Sequence, residues 1–303
     1  MSAILVKVCG FMLIIVSAYI FKKIGIFKAE DSRVISRIIL YVTLPAAVIV
    51  SFQETEVTAS LLTAIVLGVG LNFTMLFAAR FAARKRDGKT KALYMLHAAG
   101  YNIGNFIVPV TQTFLSAASV VTICIYDIGN AAMTLGVNYS LASNEAEGGS
   151  RISISSVFKK MVRSVPLDTY IIMFVLSVLK IRLPETVVTI ASMFGNANAF
   201  LGMFMIGLAF ELNLNTKDAR DALSIIALRY GSAVIFALII YFLLPLPFFM
   251  KQALTLVVFA PVPSVAVVFA AQCGCDLRLS GVVSSLCIPI SMAFITVLLL
   301  LVA

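Results

Sequence analysis

Long apolar runs alternate with short polar interruptions along the whole chain. Stretches of roughly 20 apolar residues, the length that crosses a bilayer as a helix, fall at 3–21, 34–52, 59–82, 92–115 and 118–141, then at 165–181, 188–210, 221–244, 251–272 and 280–302. The pattern predicts an all-α integral membrane protein with ten transmembrane helices. Glu54 and Glu56 separate the second span from the third, and the run from Arg84 to Lys89 separates the third from the fourth. The polar stretch Ser143 to Ser150 opens a longer connector, 142–163, whose Gly and Ser favour flexibility. The connector divides the chain into a first five-helix repeat, 1–141, and a second, 164–303. Five is odd, so the second half enters the membrane from the opposite side. Halves that are related then form a 5+5 inverted repeat.

Two of these spans are broken. Residues 99–112, Ala-Gly-Tyr-Asn-Ile-Gly-Asn-Phe-Ile-Val-Pro-Val-Thr-Gln, set Asn102, Gly104, Asn105 and Pro109 inside an otherwise apolar fourth span. Pro261-Val262-Pro263-Ser264 interrupts the ninth span in the corresponding place of the second half. Unwound backbone at membrane depth survives only where it lines a cavity or is buried in protein. Paired breaks in the two halves therefore point to a transporter's substrate site.

Composition agrees with the pattern. The 303 residues are 61% hydrophobic and only 12% charged, with a mean hydropathy of +1.05, whereas a soluble domain is about a quarter charged. The first span has no basic segment ahead of it and is followed by Lys22 and Lys23, so it reads as a retained helix, not a cleaved signal peptide. Five dispersed cysteines make no disulfide framework, and Cys273-Gly274-Cys275 lacks a second Cys or His pair. Neither a metal nor a cofactor is expected. Eighteen of the 23 Lys and Arg residues fall in one alternate set of loops, while Lys7, Lys180, Arg182 and Lys251 lie in the other. The positive-inside rule then puts both termini outside the cytoplasm. The net charge of +9 is a topology signal split among short loops, and no nucleic-acid partner is expected.

The chemistry must reside in polar groups at membrane depth. Asn102 and Asn105 each offer an amide that donates to a carboxylate and accepts from a hydroxyl. The helix half restarting after each break exposes unpaired N–H groups and a positive dipole end, for which an anion is the natural guest. Pro261 and Pro263 free carbonyls one turn back, and Ser264 adds a hydroxyl. The competing reading is that these small and polar residues only mediate helix packing, at about 0.6 kcal/mol per contact. Asp127, in Tyr126-Asp127-Ile128-Gly129-Asn130, is an expensive intramembrane carboxylate. With Asn130 it is the candidate for coupling, as a proton relay or as a partner of a helix end. Arg229, about nine residues beyond Arg220, reads as snorkelling to the cytoplasmic surface. His97, the sole histidine, reads as packed or hydrogen-bonded, not as a ligand.

Asn102-Ile103-Gly104-Asn105-Phe106-Ile107-Val108-Pro109-Val110 resembles the Gly-Asn-Thr-Gly-Phe-(hydrophobic)-Gly-(hydrophobic)-Pro signature of the auxin efflux carrier family, the PIN-like transporters and their bacterial malonate/malate-transporter relatives. Asn102, Gly104 and Pro109 match it, whereas Tyr101, Ile103, Asn105 and Ile107 depart from it. Tyr41 to Pro45, Leu201 to Leu208, and Ala260 to Pro263 followed by Ala270-Ala271-Gln272 resemble other recurring segments of that family. The short connector lacks the long insert of plant members. The resemblance implies a sodium/proton-antiporter-like fold with helices 4 and 9 crossing in a mobile domain and helices 1, 2, 6 and 7 as scaffold. It further implies elevator-type transport of a small organic anion across the cytoplasmic membrane by a homodimer. One alternative shares the architecture, a sodium-coupled symporter of the bile-acid type, disfavoured by the few intramembrane carboxylates; another reading is a non-transporting sensor. An intramembrane enzyme would need a nucleophile and base or a metal constellation, and the sequence supplies neither.

Overall fold

The computed structural model describes residues 2–56, 58–147, 164–210 and 219–302, and among these every regular element is a helix. In chain order they are α1 (Ser2–Lys23), α2 (Asp31–Gln53), α3 (Ala59–Ala82) and α4 (Gly88–Ala98). The chain continues through α5, a π-turn at Ile103–Ile107 that runs on as Val108–Phe114, to α6 (Ala117–Glu147) and α7 (Val165–Val178). Then come α8 (Glu185–Ala209), α9 (Ala219–Leu243), α10 (Phe248–Val257), α11 (Val265–Gln272) and α12 (Leu277–Val302). Seven of them, α1, α2, α3, α6, α8, α9 and α12, are long and apolar enough to cross a membrane.

Their large side chains point outward. Leu13 is 69% exposed, Met193 73%, Phe242 71% and Leu301 75%. In water each would cost on the order of 25 cal/mol per Å² of apolar surface, and a belt of them over several long helices fits only a hydrocarbon solvent. The chain is a multi-pass membrane protein.

Without a hydrophobic drive between helices in lipid, close packing depends on small residues. A Cβ added at Gly68 of α3 would lie 2.4 Å from the Tyr126 carbonyl of α6, and one at Gly129 of α6 would lie 2.4 Å from the Ile65 carbonyl. Gly207 of α8 faces the Ile15 carbonyl of α1 in the same way, and Gly195 faces Ala47 of α2. Through such contacts α1, α2, α7 and α8 pack on one another, and α6 is enclosed by α2, α3, α7 and α10.

Loops gather at two ends of the bundle. Arg86 pairs with Asp221, Gly88 abuts the Glu145 backbone, and Cys275 Sγ donates to the Lys89 carbonyl at 3.3 Å. At the opposite end Lys7 Nζ donates to Thr113 O at 2.8 Å and Ser119 Oγ donates to Phe249 O at 3.2 Å. Asp87 begins α4 by accepting from the Lys89 and Thr90 amides and the Thr90 hydroxyl, bonds that hold its carboxyl below the ordinary aspartate value. The fifth span was expected to end at 141, yet α6 runs to Glu147. Arg80 and Lys91 bond to Glu145, at 2.6 and 3.0 Å, so residues 143–147 are helical and anchored. The rest of the expected connector, 148–163, with its Arg151, Lys159, Lys160 and Arg163, lies outside the described residues, as does Lys217.

Candidate functional site

The two broken segments meet. Tyr101 to Asn102 and Val258 to Ser264 are non-helical, and they bond backbone to backbone, the Asn102 amide donating to the Pro261 carbonyl at 3.1 Å. Gly100 makes this approach feasible. Its φ of +83° is costly for any residue with a Cβ, and a Cβ there would come within 2.9 Å of both Pro263 Cγ and Thr134 Oγ1. Pro261 and Pro263 keep residues 260–263 out of a helix, so the Ala260 and Pro261 carbonyls lie in extended chain outside any helical ladder.

Those carbonyls are taken by Arg229 of α9. Its guanidinium donates to Ala98 O (2.9 Å), His97 O (3.2 Å) and Gly100 O (2.7 Å) from the first break. To the second it donates at 2.7 Å and 3.1 Å, to Ala260 O and Pro261 O. The side chain is 2% exposed and stacks 5.1 Å from the Tyr101 ring. The expectation that Arg229 snorkels to the surface is therefore wrong. It lies about 15 Å along α9 from the first residue, at 1.5 Å per residue, and five nearby carbonyls satisfy a guanidinium's five N–H donors more cheaply than a stretched stem. The signal was present: a lone basic residue deep in an apolar span is functional by default.

A second polar chain fixes the first break from the other side. Asn130 of α6 donates to the Tyr101 carbonyl and accepts from the Tyr101 amide, both at 3.1 Å. Its second amide hydrogen goes to Asp127 Oδ1 at 2.8 Å. Asn72 of α3 donates to Asn130 Oδ1 at 3.1 Å and to Gly68 O at 2.7 Å, and Asn138 donates to Asn72 Oδ1 at 3.3 Å. Asn130 is thus a buried clamp on Tyr101 that also holds Asp127. Asp127 itself is half-buried, and the Tyr170 hydroxyl of α7 faces it without hydrogen-bond geometry.

The remaining sequence candidates separate. Asn102 Nδ2 and Ser264 Oγ, one from each break, lie 3.3 Å apart, with Asn102 half-buried and Ser264 exposed. Asn105 is buried one turn on. Its amide donates to Ser36 Oγ of α2 at 3.0 Å, and its Oδ1 has no partner. Gly104 faces Leu44, whose Cδ2 would stand 2.8 Å from an added Cβ, and Pro109 packs its ring on Gly202 of α8. Pro261 contributes its carbonyl and Pro263 its ring against Gly100. His97 fits the packed reading, with Nδ1 donating to Leu93 O at 3.1 Å and Nε2 meeting Ser280 Oγ at 2.8 Å. Asn198 Nδ2 donates to Gln112 Oε1 at 2.7 Å, between α8 and α5.

The charges at this junction do not cancel. Each helix end carries roughly half an elementary charge, negative at the C-terminus and positive at the N-terminus. Arg229 binds the last carbonyls of α4 and those just beyond α4 and α10, and so offsets the two negative ends. The positive ends of α5 and α11, beside Asn102 and Ser264, keep their field. No protein-family model matches the chain, and no curated protein sequence matches it.

Proposed function

We propose that the chain is a secondary carrier of a small organic carboxylate in the cytoplasmic membrane. The observation that carries this reading is the Arg229 guanidinium on the carbonyls of both breaks, which leaves two uncompensated helix N-termini beside the Asn102 and Ser264 donors. An anion is the ligand such a field selects. One carboxylate oxygen can take the Asn102 amide and the other the Ser264 hydroxyl, replacing a 3.3 Å contact that is long for a hydrogen bond.

The architecture proposed with this function has ten spans in two inverted five-helix halves. Its support is the seven long helices, the shorter α7, and the two interrupted segments α4–α5 and α10–α11 at corresponding places in the halves. Helices α1, α2, α7 and α8, which pack together, are the scaffold, and the crossing segments move against it in an elevator-type cycle. With the basic loops inward, both termini lie outside the cytoplasm. The auxin efflux carrier resemblance supports the same reading and a homodimer through the scaffold. The sodium-coupled alternative is disfavoured because an arginine already occupies the carbonyls that a cation would use. Flux of labelled mono- and dicarboxylates into proteoliposomes, with pH, sodium and voltage varied, tests the proposal. Saturable carboxylate flux is expected; a purified, folded protein that moves and binds none of the panel would refute it.

A further inference from the structure

Buried arginines normally face a carboxylate, and Arg229 does not. None of the three ion pairs among the described residues includes it. Its charge is balanced by backbone dipoles and the face of the Tyr101 ring: five carbonyl oxygens lie at 2.7–3.2 Å from Nη1 and Nη2, drawn from the ends of two interrupted segments. Discontinuous transporter helices use such free carbonyls and half-helix C-terminal ends to coordinate a coupling cation. Here that ring of oxygens is present and already filled by the guanidinium of a side chain.

We propose that Arg229 is a tethered coupling-site cation, which holds the two breaks together permanently and makes the protein independent of sodium, and that truncating it opens a site for a free guanidinium ion. The inference rests on the carrier reading for its consequence in transport, but the site itself is a binding property that needs no substrate. A planar ion with five donors fits the vacated oxygens because it reproduces the geometry that the side chain had. A ligand that binds the folded state alone raises its stability by mass action, so the site is measurable as a thermal shift.

The experiment uses Arg229→Ala and Arg229→Lys beside the wild type, purified in detergent. Melting is followed with low-millimolar guanidinium chloride, with tetramethylammonium chloride at equal ionic strength as control. Arg229→Ala is expected to melt lower than wild type and to regain several degrees with guanidinium but not with tetramethylammonium. Wild type and Arg229→Lys, whose sites hold their own cation, should not shift. Equal shifts in all three proteins would mark a general salt effect and overturn the proposal, as would a folded Arg229→Ala that ignores guanidinium. Should Arg229→Ala fold only when guanidinium is present throughout purification, that recovery supports the site, and failure to recover overturns it. On the wild type, replacing sodium by N-methylglucamine should change neither melting nor carboxylate exchange, and sodium stimulation of either would refute the tethered-cation role. Absence of carboxylate flux with intact guanidinium rescue would sink the carrier reading and leave the site standing.

Discussion

Asn102 and Ser264 are the pair on which the anion site stands or falls, and the geometry sets the size of the effect. Their mutual contact is 3.3 Å and borders accessible space, so Asn102→Ala should lose little fold stability, about the 0.6 kcal/mol typical of a side-chain bond in a membrane. Against an ionised carboxylate the same amide hydrogen contributes about 1.5–3 kcal/mol, which is roughly a tenfold to hundredfold rise in Kd on truncation. Ser264→Ala should fall in the same range. Because both donors would hold one carboxylate, the double substitution should cost less than the sum of the singles. Asn105→Ala is the contrast. Its amide is engaged by Ser36 and its side chain is buried, so it should lower melting temperature and change Kd little. Equilibrium binding of the best carboxylate from the flux panel, with thermal melting run in parallel, reads both quantities. Unchanged Kd in well-folded Asn102→Ala and Ser264→Ala would remove the site from the crossover.

Three further outcomes are expected. Asp127→Asn keeps an oxygen for the Asn130 amide but no longer titrates, so pH-driven transport should vanish while binding and counterflow persist; wild-type flux indifferent to an imposed pH gradient at fixed voltage would rule out coupling at this residue. Asn130→Leu strips the Tyr101 N–H and C=O of their buried partners at about 1–3 kcal/mol each, so a large drop in unfolding free energy should accompany loss of binding, and a stability loss below about 1 kcal/mol would contradict the clamp. Single cysteines at Glu54 and Lys251, in a background lacking the exposed Cys9, should react with an impermeant thiol reagent on intact cells and one at Lys85 should not; the reverse pattern inverts the orientation.

Membrane residence, the approximate helices and both break points were legible in the chain, because they are local. An apolar run must become a helix in lipid, since no water is available to pair its backbone, and Gly with Asn or two prolines within one run must interrupt it. What each polar side chain does was not legible, because it depends on which neighbour its helix face meets. Asn102 and Asn105 read alike in sequence, and only the π-turn at 103–107 with the packing of α5 on α2 turns one toward Ser264 and the other toward Ser36. Asn130 bonds Asp127, three residues before it, but its bonds to Tyr101, at a position 29 residues away, could not be read from the sequence. Arg229 departs furthest from its sequence reading. Its distance from Arg220 along the chain suggested the surface, but α9 turns it to the junction of two breaks that are 129 and 31 residues away. Lost carbonyl partners in both breaks, created by Gly and Pro far from it, are the physical reason that a charge is stable there.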